Sequence, residues 1–368
     1  MCRTPVRRNV FLHSMYAAAV VALTGCAPDA PDAPPAPSPL LAFVDSVVLA
    51  DTGVLTLGDL ASAGLHVGDD EIWVGDPLAG RMVRFDRRGQ PLGAVGSKGR
   101  GPGELGGLGP LAELGDGGVA MWDYMASKVV VYDVGTGALR WESPLREQAM
   151  PLQLQAVGDT VWLGAVSIAT NTGAMRIAPG DTRSLRLAPL PAQYVAGLAR
   201  FLPFSVALRS HSALLVGYSG DGHLFDHHDD GVVDTLAVPR RLRRGVPPDL
   251  LERLGEVGSE NLVSILARMA WLADGSLALV HYDVSFDPAA DAPATTDVWL
   301  TVVDRDPRRA CVDAQLPGTE KSLPSLAFRG DTVYTLVQEL RGEQAVPVLR
   351  SYAISTAGCA WMPMERRR

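Results

Sequence analysis

Gly96-Ser97-Lys98-Gly99-Arg100-Gly101-Pro102-Gly103-Glu104-Leu105 is the stretch on which the fold is decided. Five of the residues at positions 96–103 are glycine or proline. Glycine supplies positive φ and proline fixes φ without offering a donor, so the segment must turn tightly and repeatedly and cannot form a helix or a ladder strand. Glu104 is placed to accept bonds from the backbone N–H groups such a turn leaves unpaired. Two readings follow: a structural turn between units, or an anion nest in which exposed amides sit beside Lys98 and Arg100. A nucleotide-phosphate loop is excluded, because Lys98 is followed by Gly99 and the glycine spacing is wrong. The structural turn is the expectation.

Upstream lie Glu71-Ile72-Trp73-Val74-Gly75-Asp76, then Arg81-Met82-Val83-Arg84-Phe85-Asp86, then Gly89-Gln90-Pro91-Leu92. They read as two alternating strands, a glycine turn and a third strand that runs into the glycine-rich exit. This order resembles a blade of the six-bladed β-propellers of the NHL-like (TolB-like) group. The G-x-x-G-x-G-P-G-E exit resembles that of bacterial members, which are often lipid-anchored. The resemblance implies an all-β fold, a six-bladed β-propeller of four-stranded antiparallel blades, and a cell-envelope address.

The rest of the chain repeats the unit, as a propeller requires. A short polar turn followed by an alternating apolar strand recurs, and Ile72, Val119, Val161, Leu214, Leu277 and Val333 take equivalent places, at steps of 47, 42, 53, 63 and 56 residues. Partner strands are expected at 82–85, 129–132, 174–177, 223–225, 298–303 and 348–353. Outer strands are expected near 92–95, 139–142, 184–188, 232–238 and 310–315. Innermost strands are expected at 65–67, 110–114 and 325–328. Residues 43–49 alternate well but precede the first unit; they, or residues 359–362, would pair with the last blade and close the ring.

The 368 residues are 47% hydrophobic and only 20% charged, with 38 Gly and 27 Pro, which suits a core-forming chain rich in turns. The net charge of −8 becomes −11 once Arg3, Arg7 and Arg8 are removed with the leader, against the basic footprint that nucleic-acid binding needs. Residues 1–25 read as an export signal: three arginines, then an apolar run too short for a confident membrane span. Leu23-Thr24-Gly25-Cys26 has the form of a lipoprotein box, which implies cleavage before Cys26 and lipid upon it. Arg7-Arg8 also resembles a twin-arginine signal, so the export route stays open. Ala27 after the cysteine implies the outer membrane, facing the periplasm or the cell surface. Residues 26–40 form a proline-rich tether able to hold a domain about 40 Å from the bilayer at about 3 Å per residue. The propeller is expected over 41–363.

Two insertions interrupt the repeat. At 239–262, the run Arg240-Arg241-Leu242-Arg243-Arg244 precedes helix-start chemistry at Pro247-Pro248-Asp249, which predicts a short helix near 247–262. Arg240, Arg241, Arg243 and Arg244 are candidate partner contacts on an acidic protein. Residues 285–296 form the second, a loop within the fifth blade. Long loops on rigid scaffolds are where binding function concentrates.

Catalytic signals are sparse. His223, Asp226, His227, His228, Asp229 and Asp230 form the densest ligand-type cluster, with His223, His227 and Asp229 as candidate metal ligands. Adjacent strand residues point to opposite faces, so a solvated hairpin is the competing reading. Six-bladed propellers also include metal-dependent lactonases, whose resemblance would put a divalent ion (Ca or Zn) in the central channel. The counterparts here are His66, Glu113, Gln155, Arg268 and Ser325. Of these only Glu113 is a strong hard-ion ligand, making it the candidate catalytic residue, and an arginine near the axis opposes a cation. No nucleophile elbow or H-E-x-x-H pair occurs. Once Cys2 has left with the leader and Cys26 is lipidated, Cys311 and Cys359 remain. An exported protein favours pairing them, whereas equivalent outer-strand positions on successive blades would hold them apart. Trp73, Trp122, Trp162 and Tyr334 share a phase of the repeat, which suits packing between blades or, alternatively, a stacking platform.

The sequence thus predicts a membrane-anchored binding or scaffold module for a protein, peptide or glycan partner in the envelope, without a cofactor. The alternative is a metal-dependent hydrolase or lyase with its site in the channel.

Overall fold

The computed structural model describes residues 40–50, 64–145, 149–181, 185–192, 194–195, 204–220, 222–245, 264–285, 295–319, 324–342 and 344–367. The leader, the tether, the helix expected near 247–262 and most of the loop at 285–296 lie outside them.

Strand β1 (Leu41–Val48) precedes six antiparallel sheets. Blade 1 holds β2 (Leu65–Val67), β3 (Glu71–Asp76), β4 (Arg81–Asp86) and β5 (Pro91–Val95). Blade 2 holds β6 (Leu108–Glu113), β7 (Gly118–Asp123), β8 (Lys128–Asp133) and β9 (Leu139–Pro144). Blade 3 holds β10 (Leu154–Val157), β11 (Thr160–Ser167), β12 (Thr172–Ile177) and β13 (Leu185–Leu187). Blade 4 holds β14 (Ser205–Arg209), β15 (Ala213–Tyr218), β16 (His223–His228) and β17 (Val233–Ala237). Blade 5 holds β18 (Ser264–Trp271), β19 (Leu277–Ser285), β20 (Thr295–Arg305) and β21 (Arg308–Gln315). Blade 6 holds β22 (Ser325–Arg329), β23 (Thr332–Arg341), β24 (Gln344–Ile354) and, as its fourth strand, β1. The fold is a six-bladed β-propeller.

Strand periodicity explains the ring. In β7, Ala120 and Trp122 pack with Leu154, Val161 and Leu163 of blade 3, while Val119 and Met121 pack with Trp73 and Met82 of blade 1. Val129 and Val131 of β8 share the first face, and Val130 and Tyr132 the second. Alternate side chains thus enter the two cores flanking each blade, and six such clusters fill the six junctions. Trp73 and Tyr334 are consumed there, as interblade packing requires.

β1 closes the ring by pairing with β24 from Leu41↔Ile354 to Val48↔Val348. The chain end does not compete for that place. β25 (Met362–Pro363) instead joins the edge of β21, and β26 (Arg366–Arg367) joins the edge of β17, so blades 5 and 4 gain a fifth strand. This route also removes the geometric objection to a disulfide. Cys359 does not occupy the outer strand of blade 6 but lies on the strap crossing to blade 5, where it is bonded to Cys311 with Cα atoms 5.9 Å apart.

The glycine-rich exit is a turn. The Gly101 amide donates to Glu104 at 2.7 Å, and the Leu105 amide to the Ser97 carbonyl at 2.9 Å, which seats Leu105 in the core. A Cβ on Gly99 would fall 1.9 Å from a Glu104 carboxylate oxygen, so a side chain there would displace Glu104 from its bond to the Gly101 amide. Lys98 reaches the Leu78 carbonyl at 2.9 Å.

Candidate functional site

The ring has two unlike faces. On the entry face the chain crosses from one blade to the next and turns from each second strand into the third; the return face carries the other turns. The axial channel opens on the entry face as a cup of about 510 Å³. Its rim carries Tyr124, Met125 and Met150, exposed at 47%, 65% and 53%, and its wall includes Trp122, Phe204, Leu152 and Leu326.

Local chemistry builds this rim. Asp123, fully buried at the end of β7, accepts the amides of Gly106 (2.9 Å), Gly107 (3.2 Å), Met125 (3.0 Å) and Ala126 (3.1 Å). One carboxylate therefore ties the tail of the glycine-rich crossing to the turn that bears Tyr124 and Met125. A Cβ on Gly107 would lie 2.3 Å from Tyr124 Cζ, and one on Gly106 would lie 2.9 Å from Met125 Cβ, so the paired glycines make room for both.

Arg268 forms the floor. It lines both the cup and a second cavity of about 310 Å³ further down the channel. Its strand is bulged: Leu266 faces His281 and Arg268 faces Val280, so Ala267 is the extra residue. A bulge re-aims the side chains that follow it, and β6 carries another between Leu108 and Leu111, at the cup residues Gly109 and Pro110. Gln153 locks the bulged strand, since its amide donates to the Met269 carbonyl at 2.8 Å and accepts the Met269 amide at 2.9 Å. The channel walls enclose Arg268, and burial pulls its pKa below the ordinary arginine value. It keeps some accessible surface because it faces open cavity rather than packed protein. Among the described residues no carboxylate lies within ion-pair distance of it, and Tyr282 is the one group whose charge acts on it. Tyr282, pushed up by burial, donates to the Pro324 carbonyl at 2.9 Å.

The lower cavity holds His66 and Glu113, 2.9 Å apart across blades 1 and 2. The His66 bond holds the Glu113 carboxyl below its usual range, in its ionised form. Gln155, the next candidate, spends its amide on the Arg209 backbone at 3.0 and 2.5 Å. Two ligand groups beside an arginine do not fit the Ca or Zn ion expected in the channel, since zinc takes three or four protein ligands and calcium six to eight oxygens. Among the described residues no group of three His, Cys, Asp or Glu side chains is arranged to hold a metal ion.

Other candidates are placed elsewhere. His223, His227 and Asp229 lie along β16 and its turn without converging. Asp229 is held by both terminal nitrogens of Arg209 at 2.8 Å, and burial lowers the pKa of His227. A cavity of about 830 Å³ on the return face contains Arg209 and Arg305, but Asp229 and Asp226 already neutralise them.

Arg243 is a correction to the expected partner contacts. It is buried, with Nε 3.3 Å from Asp313 and Nη1 2.6 Å from His281 Nε2. Its Nη2 donates to the Val238 and Pro239 carbonyls at 3.0 and 2.9 Å. Asp313 also accepts the amides of Arg241, Leu242 and Arg243, and Asp283 accepts that of Arg244. The run is a clasp holding the root of the insertion against blade 5. Of its four arginines, Arg240, Arg241 and Arg244 remain exposed, as does Leu242.

Solved structures share this ring. A member of the DUF4221 family from Bacteroides vulgatus is 10% identical with a TM-score of 0.58, over 86% of this chain and 99% of that one. A Bacteroides fragilis protein described as exported is 11% identical with a TM-score of 0.52, over 86% and 96%. Virginiamycin B lyase from Staphylococcus aureus is 13% identical with a TM-score of 0.48, over 86% and 100%. At these identities the likeness is one of fold. No protein-family model matches the chain, and no curated protein matches it.

Sequence reasoning placed Arg268 at the axis but missed the cup. The available signal was Tyr124-Met125, two large apolar residues in a tight turn opposite Gly106-Gly107.

Proposed function

We propose that the protein is an exported, membrane-anchored binding module that presents its entry face to a partner in the cell envelope, with the cup as its site. The observation that carries this reading is the cup itself: Tyr124, Met125 and Met150 stand exposed around a concave, largely apolar cavity of about 510 Å³. Large exposed apolar groups at a concavity mark interaction sites rather than ordinary surface. The leader and the Leu23-Thr24-Gly25-Cys26 box support the envelope address, and the Bacteroides fragilis protein of similar fold is itself described as exported. The partner is an envelope protein, peptide or glycan that offers an apolar group to the cup.

A photo-crosslinking residue at position 125, expressed in the native envelope, tests this. One defined adduct is expected, lost when Tyr124→Ser and Met150→Ser are added and absent when the crosslinker is moved to position 160 on the return face. Adducts of equal yield from both faces, indifferent to those substitutions, would refute the assignment of the cup.

A further inference from the structure

We infer that the cup takes an apolar monocarboxylate, with its carboxylate on Arg268 and its hydrocarbon or aromatic body against Trp122, Phe204 and Leu326. The inference rests on the cup being the binding site and names the chemistry of its ligand.

Three observations converge on that class. The first is charge. Arg268 is a cation lying between two cavities with no carboxylate of the described protein within ion-pair distance, unlike Arg84, Arg140, Arg209, Arg243 and Arg350, each of which has one. A guanidinium stays protonated at any ordinary pH and presents a planar fork suited to a carboxylate. Its guanidinium faces the cavity with no protein anion to pair with, and a ligand anion would supply that partner.

The second is an orphan donor. The Trp122 indole Nε1 is buried without a hydrogen-bond partner, on a side chain that is 1% exposed and lines the cup. The adjoining Gly109 packs against that ring, since a Cβ would fall 3.0 Å from Trp122 Cδ1. An unsatisfied indole N–H in the wall favours a ligand that brings hydrogen-bond acceptors into the cup.

The third is what the wall lacks. Pro110, Pro151 and Pro324 line the cup and contribute no backbone N–H, and the Tyr282 hydroxyl is committed to the Pro324 carbonyl. A peptide backbone entering the cup would bury amides and carbonyls against a wall poor in partners. A hydrocarbon or aromatic body needs none, and gains by leaving water. The group that a partner offers to the cup is therefore a single carboxylate on an apolar body, rather than a stretch of peptide backbone or a polyol.

The test uses the full chain carrying Cys26→Ser, with decanoate and decanol as probes in calorimetric titration. Decanoate should bind at least tenfold more tightly than decanol. Arg268→Met should lower decanoate affinity roughly ten- to a hundredfold, the span of a charge-assisted bond, and leave decanol unchanged. Unchanged decanol binding doubles as proof that the variant is folded, and Arg268→Lys should restore part of the preference. Lowering the pH through the titration of decanoic acid should abolish the difference between the two probes. Equal affinity for both in the unmutated site would overturn the carboxylate assignment while leaving the cup as the binding site. Binding of neither overturns the ligand class, and the position 125 crosslink then judges the cup independently.

Discussion

Replacing Arg243 by methionine removes the centre of the clasp beneath the insertion and leaves its partners in place. Asp313 Oδ1 loses its cation, His281 Nε2 loses its donor, and the Val238 and Pro239 carbonyls lose theirs. Breaking a buried ion pair from one side costs about 3–5 kcal/mol, because the remaining charge stays buried. Three backbone amides still reach Asp313 Oδ2, so the middle of that range, about 4 kcal/mol, is the fitting figure. An unfolding entropy of about 2.1 cal/mol/K per residue over the Ala36–Arg368 unit comes to about 0.7 kcal/mol/K, so the midpoint should fall by about 6 °C. Arg244→Met is the control: its side chain is exposed, and its change should stay within about 0.5 kcal/mol, under 1 °C. Both are read by differential scanning calorimetry of the unlipidated chain. A double-mutant cycle of Arg243→Met with Asp313→Ala should show strong coupling, since removing both charges costs less than the two single losses together. Equal shifts for the neighbouring arginines would refute the clasp and restore the whole run as a surface feature.

Three further outcomes follow from named contacts. His281 accepts from Arg243 and is held neutral, its pKa well below the ordinary value because of burial first and the Arg243 charge second. The unfolded chain therefore binds a proton that the folded one refuses. Stability present above about pH 6.5 should be lost as pH falls, at about 1.4 kcal/mol per unit, and His281→Asn should flatten that slope in denaturant titrations between pH 7 and 5. Reducing the Cys311–Cys359 bond, which closes a loop of sequence separation 48, should cost about 4 kcal/mol on the chain-entropy account; an unchanged midpoint in reductant would count against it. Gly107→Ala pushes against Tyr124, whose ring is half exposed and free to swing outward, so stability should change by less than about 1 kcal/mol. Decanoate binding should nonetheless weaken, and a loss of stability without a loss of binding would contradict the part given to this rim.

Fold and site were unequally legible for physical reasons. A propeller strand alternates because it serves two interblade cores, and that period is written directly in segments such as 118–123 and 128–133. The closing role was readable only as a choice between residues 43–49 and 359–362, because an alternating strand outside the repeat must find an edge and either end of the chain could supply it; Leu41–Val48 takes it. The strap at 359–367 was not, since two-residue pairings leave no periodic trace. Arg243 misled for a related reason. A run of arginines reads as a charged surface, and nothing local reports that Asp313 and His281, 70 and 38 positions away, converge on one of them. The cup is subtler still. Its floor depends on a bulge that adds Ala267 to β18, and its lock is Gln153, 116 positions from Met269.

The two faces of the ring differ in a way that bears on which one is used. On the return face every connection is short, the longest spanning residues 178–184 between β12 and β13. On the entry face most turns are as short, but four connections run longer, at 188–204, 238–263, 286–294 and 316–324. Part of this asymmetry is demanded by the topology, since a crossing spans from an outer strand to the next inner strand while each return-face turn joins adjacent strands; the 26 residues of 238–263 go well beyond that need. The longest link begins at the clasp, where Arg243 spends buried charge to fix its root against blade 5. The clasp also determines how that link must be studied. Excising residues 240–262 would remove Arg243 and report mainly on stability, whereas excision beginning after Gly245 spares every clasp contact and isolates whatever the insertion contributes at the cup.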